Sequence, residues 1–428
     1  MSFAKKIFSA LGPFVLAVVI LVIILFSPTK IGNTVSSDTL EKAATSMSIN
    51  VIKGNIIKNE AMQSEKYVPF FGSSELSRID SFHPSVLAQK YHRNYRPFLL
   101  GAAGTQSLSQ FSMLSSMGSE LKGKKAVFVI SPQWFVKKGI KKEMFSLYFS
   151  PLQTYQWLLN LKQVDKNASY YAERLLTFSS VNQDTSLKTM MEQVKNGEEL
   201  TESQKDECAL KLNIFSREDD LFGRLGLISK QNEIRKSMKA LPTTYNFDKL
   251  DMLAYAQGKK LANNNPYELN NSFYSKRIEP IENSLKNSQA DYDYRYSKEF
   301  ADFQLVLDEF AKLKMDVLFV IPPVNGKWSD YTGLSQEMLD QFATKIKTQL
   351  NDQGFNNVAD LHQYKDSKYF MNDTIHLGWR GWLTLDKQIN PFLSQKAKTT
   401  PQYTIKSYYL SKEWQMKNPE TLTSNSDN

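Results

Sequence analysis

Five short apolar runs stand out along the chain: Tyr67–Gly72 (YVPFFG), Pro97–Gly101 (PFLLG), Ala126–Ser131 (AVFVIS), Asp316–Ile321 (DVLFVI) and Val358–Leu361 (VADL). Continuous rather than alternating hydrophobicity, closed by Gly, Ser, Pro or His, is the signature of strands buried on both faces. Between them, residues 105–121, 299–314 and 334–350 place apolar side chains at i, i+3 and i+4, which predicts helices with one buried stripe. Strands alternating with helices imply right-handed crossovers and an α/β fold with a doubly wound parallel sheet.

Two stretches depart from that rhythm. From Ile7 to Phe26 no residue is charged. A run of about 20 apolar residues is what one helix needs to cross a bilayer core of about 30 Å. Lys5 and Lys6 precede it, so the N-terminus is expected in the cytoplasm. Residues 1–30 then form a cytoplasmic tip and transmembrane anchor, and 31–428 an extracellular domain. A cleaved signal peptide is the weaker reading, because Ser27-Pro28-Thr29-Lys30 is a poor cleavage site. The second departure is a gap of roughly 180 residues between Pro132 and Asp316 without a strand signal. Residues 140–295 therefore read as a mainly helical insertion crossing over the sheet. The polar tail, 418–428, reads as disordered.

Composition narrows the function. Apolar residues make up 41% and charged residues 23% of 428, which fits a globular chain. The net charge of +9 suits a polyanionic partner or an anionic lipid bilayer. No zinc knuckle or basic-aromatic RNA motif is present, so a nucleic acid is not the expected polyanion. The single cysteine, Cys208, excludes an internal disulfide and has no Cys-x-x-Cys partner, so it reads as a core thiol. No metal or cofactor is expected.

Open α/β sheets bind ligands at the carboxyl ends of their strands. After the first run comes Gly72-Ser73-Ser74-Glu75-Leu76. A Gly-Ser turn leaving a strand for a helix can present a hydroxyl and an N–H together; Ser-Ser-Glu is equally a helix-capping pattern. After the second come Gly101 and Gly104, small enough to let backbone N–H groups approach a ligand. After the third, Gln133 offers an amide. Near the chain end lies Asn372-Asp373-Thr374-Ile375-His376-Leu377-Gly378. There a carboxylate three residues before an imidazole can orient it as a base. His362 is a weaker rival, and His83 and His92 read as surface residues. Each signal is weak alone, but together they fall at one edge of one sheet. Only one of the adjacent serines can face His376.

The chain order Ser, Gly, amide, Asp, His is similar to the block order of SGNH hydrolases, with Gly-Ser-Ser in place of Gly-Asp-Ser and Gln133 in place of Asn. The segments FFGSSELSR, FLLGAAGTQSL, KGKKAVFVISPQWF, IPPVNGKW and NDTIHLGWRGW closely resemble the DltD family, the D-alanyl transfer proteins of the lipoteichoic acid D-alanylation system. The resemblance implies an SGNH-hydrolase-like fold outside a Gram-positive membrane. It implies Ser74 as nucleophile, with His376 and Asp373 completing a triad. The Ser74 N–H, Gly104 and Gln133 would form an oxyanion hole, Gly101 less so. Implied partners are lipoteichoic acid, the membrane acyltransferase DltB, the single-span peptide DltX and, indirectly, the carrier DltC. Since the acceptor is a poly(glycerol phosphate), Arg78, Lys327, Trp328 and Arg380 are candidates for its binding. A plain D-alanyl esterase, or a non-catalytic polymer-binding subunit, are the competing functions.

Overall fold

The five apolar runs are strands because their residues find apolar partners on both sides. In the computed structural model, which describes residues 3–26, 35–395 and 399–425, they are β1 (Tyr67–Phe71), β2 (Arg96–Leu100), β3 (Lys125–Val129), β4 (Asp316–Ile321) and β5 (Val358–Asp360). All pair in parallel, in the order β2-β1-β3-β4-β5.

The two-residue period of the strands divides the core cleanly. Phe71, Phe98, Phe128, Val317 and Phe319 face one side, where the expected helices appear as Ser107–Met117, Glu299–Lys312 and Gln336–Asn351. Phe70, Leu99, Val127, Val129, Leu318 and Val320 face the other, against Pro84–Lys90 and Trp379–Ser394. The first strand in sequence sits inside the sheet, so the direction of winding reverses between β1 and β3. In a sheet of this order, that reversal opens a crevice at the carboxyl ends of β1 and β3.

Between β3 and the helix Glu299–Lys312, every regular element among the described residues is helical. The helices Pro151–Asn160 and Glu202–Phe222 pack together on the first face. The helix Phe247–Leu261 lies on the second face, against Trp379–Ser394. Cys208 is buried beside Met190, its Sγ 3.4 Å from the thioether sulfur.

Residues Phe3–Phe26 form one helix. Among the described residues no helix is long and apolar enough to cross a membrane. The side chains of 3–10, 21 and 24–26 lie outside the described set, so the span expected over Ile7–Phe26 falls partly outside it. The tail departs from its expected disorder. Pro419–Asn425 is a 3-10 helix, Leu422 packs against the larger core, and the Gln341 side-chain amide donates to Glu420. Pro419 is buried as well, so two apolar residues in a polar stretch meet the core; residues 426–428 lie outside the described residues.

Candidate functional site

Ser74 follows β1 at the crevice. Its turn is held by its neighbours rather than by a long helix. Ser74–Ser77 is a single 3-10 turn, shorter than the helix expected, so any dipole from it is small. The Gly72 carbonyl accepts from the Gln110 amide at 2.7 Å. A Cβ on Gly101 would collide with that same carbonyl. Gly101 is therefore the residue that lets the ends of β1 and β2 touch, a packing role distinct from ligand contact.

The two serines point different ways. The Ser73 hydroxyl donates to the Ala102 carbonyl at 3.1 Å and accepts from the Gly104 N–H at 3.2 Å. Ser73 thus staples its own turn to the one after β2. Ser74 Oγ lies 2.8 Å from His376 Nε2. The capping reading of Ser-Ser-Glu also resolves here. Ser73 makes no side-chain cap, and Glu75 Oε1 accepts the Ser73 N–H at 2.6 Å. The Glu75 carboxyl is fully enclosed, and burial pushes its pKa up against the opposing influence of His376 and that N–H.

Asp373 and His376 sit in a small loop closed by a bridge between Met371 and Leu377. The Asn372 N–H donates to the His376 carbonyl at 2.8 Å, and the Asn325 N–H, from the loop after β4, donates to Thr374 at 3.0 Å. A side chain on Gly378 would strike the backbone of Met371 and Asn372. So anchored, the loop lets Asp373 Oδ2 approach His376 Nδ1 to 2.7 Å, while Asp373 Oδ1 accepts the N–H groups of Ile375 and His376 at 3.1 Å. Burial raises the Asp373 pKa. The His376 hydrogen bond, the imidazole charge and Arg78 outweigh it and hold the carboxyl below its ordinary value. Ser74, His376 and Asp373 form one continuous hydrogen-bonded chain.

The other expected residues divide. Arg78 belongs to the site: its Nη2 is 3.1 Å from Asp373 Oδ2 and its Nε 3.4 Å from His376 Nδ1. Gln133 lies half-buried in the turn after β3, its Oε1 buried without a hydrogen-bond partner. Gly104 adopts a positive φ of 89° and its N–H is taken by Ser73. Lys327 is paired with Glu268 at 2.7 Å, Trp328 is buried beside Tyr267, and Arg380 forks onto Asp251 at 2.7 and 2.9 Å. Those three are structural contacts of the insertion and stand away from Ser74's hydrogen-bonded chain. His362 is held by Asp360. His92 is exposed, but His83 is buried edge-on against Trp382, and burial pushes its pKa down to about 3. The surface reading of His83 fails because a polar-looking connection carries Phe82 and Val86 into the core. Glu75's role was missed, since an acidic residue after Ser-Ser looks like a cap; its position one residue past the nucleophile candidate was the available signal.

A profile described as the DltD protein family matches residues 44–394. Protein DltD of Lacticaseibacillus rhamnosus is 45% identical over 98% of this chain and 98% of its own length. Protein DltD of Bacillus subtilis (strain 168) is 30% identical over 89% of this chain and 96% of its own. That of Staphylococcus aureus (strain NCTC 8325 / PS 47) is 29% identical over 87% and 92%. With the family profile spanning most of the chain, and likeness to such relatives running nearly end to end, the chain belongs to the DltD family.

Proposed function

We propose that this protein is a membrane-anchored serine acyltransferase that passes D-alanyl groups onto the poly(glycerol phosphate) of lipoteichoic acid at the outer membrane face. The observation that carries the reading is the chain of contacts from Ser74 Oγ to His376 Nε2 at 2.8 Å and from His376 Nδ1 to Asp373 Oδ2 at 2.7 Å. A hydroxyl becomes a nucleophile when an adjacent imidazole takes its proton and a carboxylate stabilises the imidazolium formed. Ser74 Oγ attacks the carbonyl carbon of a D-alanyl donor, its proton passing to His376 Nε2. The bond to the donor's leaving atom breaks, that atom takes the proton, and the D-alanyl group remains as an ester on Ser74. A glycerol hydroxyl then gives its proton to His376 and attacks this ester; the bond from the carbonyl carbon to Ser74 Oγ breaks, and His376 returns the proton to that oxygen.

The developing oxyanion would be met by the Ser74 N–H, which as the first N–H of its turn has no acceptor within that turn, and by the Gly104 N–H and the Gln133 amide. Recruiting Gly104 requires the Ser73 hydroxyl to release it. The helix Phe3–Phe26 serves as anchor in this reading, and DltB and DltX are the membrane partners it implies, with DltC acting only indirectly from the cytoplasm.

The test is the D-alanine ester content of lipoteichoic acid in cells expressing each variant at matched levels by immunoblot. Ser74→Ala and His376→Ala should each bring it to background, several powers of ten in rate being the usual loss for such a unit, and the double variant should be hardly worse. Ser73→Ala should keep substantial activity. Normal D-alanylation with Ser74→Ala would eliminate the acyl-serine and leave a non-catalytic, polymer-binding subunit in its place.

A further inference from the structure

Arg78 occupies a place that the proton transfers above do not use. Its Nη2 lies 3.1 Å from Asp373 Oδ2, the same oxygen that lies 2.7 Å from His376 Nδ1, and its Nε–H is directed at that Nδ1 from 3.4 Å. The two contacts at Nδ1 cannot both be satisfied. A neutral imidazole has one donor and one acceptor nitrogen. If Nδ1 bears the proton, it donates to Asp373 and confronts the Arg78 N–H, donor against donor. If Nδ1 is bare, it accepts from Arg78 but sets its lone pair 2.7 Å from a carboxylate oxygen, so the shorter contact keeps the proton on Nδ1 and leaves the Arg78 N–H opposing it. A guanidinium keeps its charge at any working pH. In this position it also opposes the second positive charge that imidazolium formation would create beside it. Besides Asp373, the fully enclosed Glu75 carboxyl is a further titratable group near His376.

The Arg78 side chain is 36% exposed, whereas Asp373 is 1% exposed. The guanidinium can therefore leave toward solvent while the carboxylate cannot follow. Of the three cations expected to meet an anionic acceptor, Lys327 and Arg380 are committed to Glu268 and Asp251. Arg78 alone lies against the hydrogen-bonded chain. A planar fork of donors matches the oxygens of a phosphate better than the single carboxylate oxygen it now touches.

We propose that Arg78 determines specificity for phosphate-bearing acceptors: docked on Asp373 it shares the carboxylate oxygen that supports His376 and sets a positive charge against the ring, and a phosphate ester at the site mouth draws it away and releases the base. This rests on the reading of Ser74 as nucleophile. The phosphate can be that of a polymer repeat or of a lipid headgroup.

The experiment measures hydrolysis of the neutral ester p-nitrophenyl acetate by the full-length protein in nonionic micelles. Dimethyl phosphate is the probe, since it carries the phosphodiester charge and no hydroxyl that could accept the acyl group. Chloride at equal ionic strength is the control. Dimethyl phosphate should raise the wild-type kcat by about fivefold or more, the lower range of ordinary couplings between sites. Arg78→Gln should show the raised kcat without the probe, with KM little changed, and no further response. Arg78→Lys, which keeps a point charge, should retain the response. Adding oligo(glycerol phosphate), or mixing phosphatidylglycerol into the micelles, identifies the source by which one accelerates the wild type. A slower Arg78→Gln, or a wild type indifferent to all three phosphates, overturns the proposal while Ser74 remains the nucleophile. If Ser74→Ala hydrolyses the ester as fast as wild type, the underlying reading fails, and this one with it.

Discussion

Lys58 holds an ammonium group where no water reaches it. Its residue is fully buried in the helix Ile56–Gln63, and Nζ has the Ile52 carbonyl at 3.1 Å as its hydrogen-bond acceptor. Burial lowers its pKa from 10.5 to about 7, against the opposing pull of Asp219. Below pH 7 both folded and unfolded chains bind this proton, so the cost of burying the charge is constant. Between pH 7 and 10.5 the unfolded chain binds more protons than the folded one, so stability rises with pH by up to about 5 kcal/mol. Lys58→Met removes that dependence. Its denaturation midpoint should exceed the wild type's most at pH 6.5, with the advantage shrinking by pH 9.5; an equal difference at both pH values would refute the buried charge. Single residues were legible in the sequence where chemistry had one meaning and illegible where burial decided. Asp373 and His376 could be paired from their spacing, and Ser74 chosen over Ser73 from the motif. Arg78 could be placed near the site only as one cation among three. Which cations find a carboxylate elsewhere depends on the path of the insertion, and no local pattern encodes that. His83 was misread for the same reason: a connection that is polar on average says nothing about Trp382, hundreds of residues on, which covers it.

At the scale of elements, the insertion is fastened to the sheet layer by a buried ion pair. Arg174, on the helix Lys166–Leu175, forks onto Asp302 of Glu299–Lys312 at 2.8 and 2.9 Å, and the Tyr170 hydroxyl adds a third bond at 2.8 Å. Both charged side chains are almost wholly buried. Such a pair is weak evidence of net stability, but removing one partner leaves the other's charge buried with its hydrogen bonds unmade. Asp302→Ala should therefore cost about 3–5 kcal/mol of unfolding free energy, while replacing both residues by apolar ones of similar volume should recover most of it. Denaturant titration of the single and double variants decides this; a double variant as unstable as Asp302→Ala would mean that the pair itself, and not the orphaned charge, supplies the stability. The elements themselves were largely readable. Buried parallel strands are uniform apolar runs, and the three helices that cover them on the first face carry a clean 3.6-residue stripe, so their bounds lay within a few residues of those observed. The insertion was readable only as helical. Its helices cover both faces of the sheet, and their stripes record that something is buried without recording against what. The tail was misjudged because composition averages over Pro419 and Leu422, which are buried or packed against the core.

For the whole molecule, the strand order places Ser74 at the reversal of winding between β1 and β3, and the loops after β4 and β5 bring Asn325 and then Asp373 and His376 to the same edge. A site assembled from both ends of the chain needs the sheet intact, yet it does not need the first helix. The helix Phe3–Phe26 precedes the first residues that join the core, Val35 and Leu40. On the proposed reading its role is positional: it would fix on which side of the membrane the carboxyl edge of the sheet meets its substrates. Lys5 and Lys6 at its start and an uncharged run from Ile7 to Phe26 would then orient it with the N-terminus inside. The domain that follows should lie outside, where a polymer with a phosphate in each repeat meets a chain of net charge +9. Protease added to intact protoplasts should therefore remove the domain, leaving a small protected fragment that carries an N-terminal tag. Reversing the two lysines to glutamate, with lysines added after Phe26, should turn the domain inward and abolish both its digestion and lipoteichoic acid D-alanylation, although the Ser74 chain of contacts is untouched. A domain that stays protected in the wild type while surface controls are cut would place the site on the cytoplasmic side, where a polymer built outside could not be its acceptor.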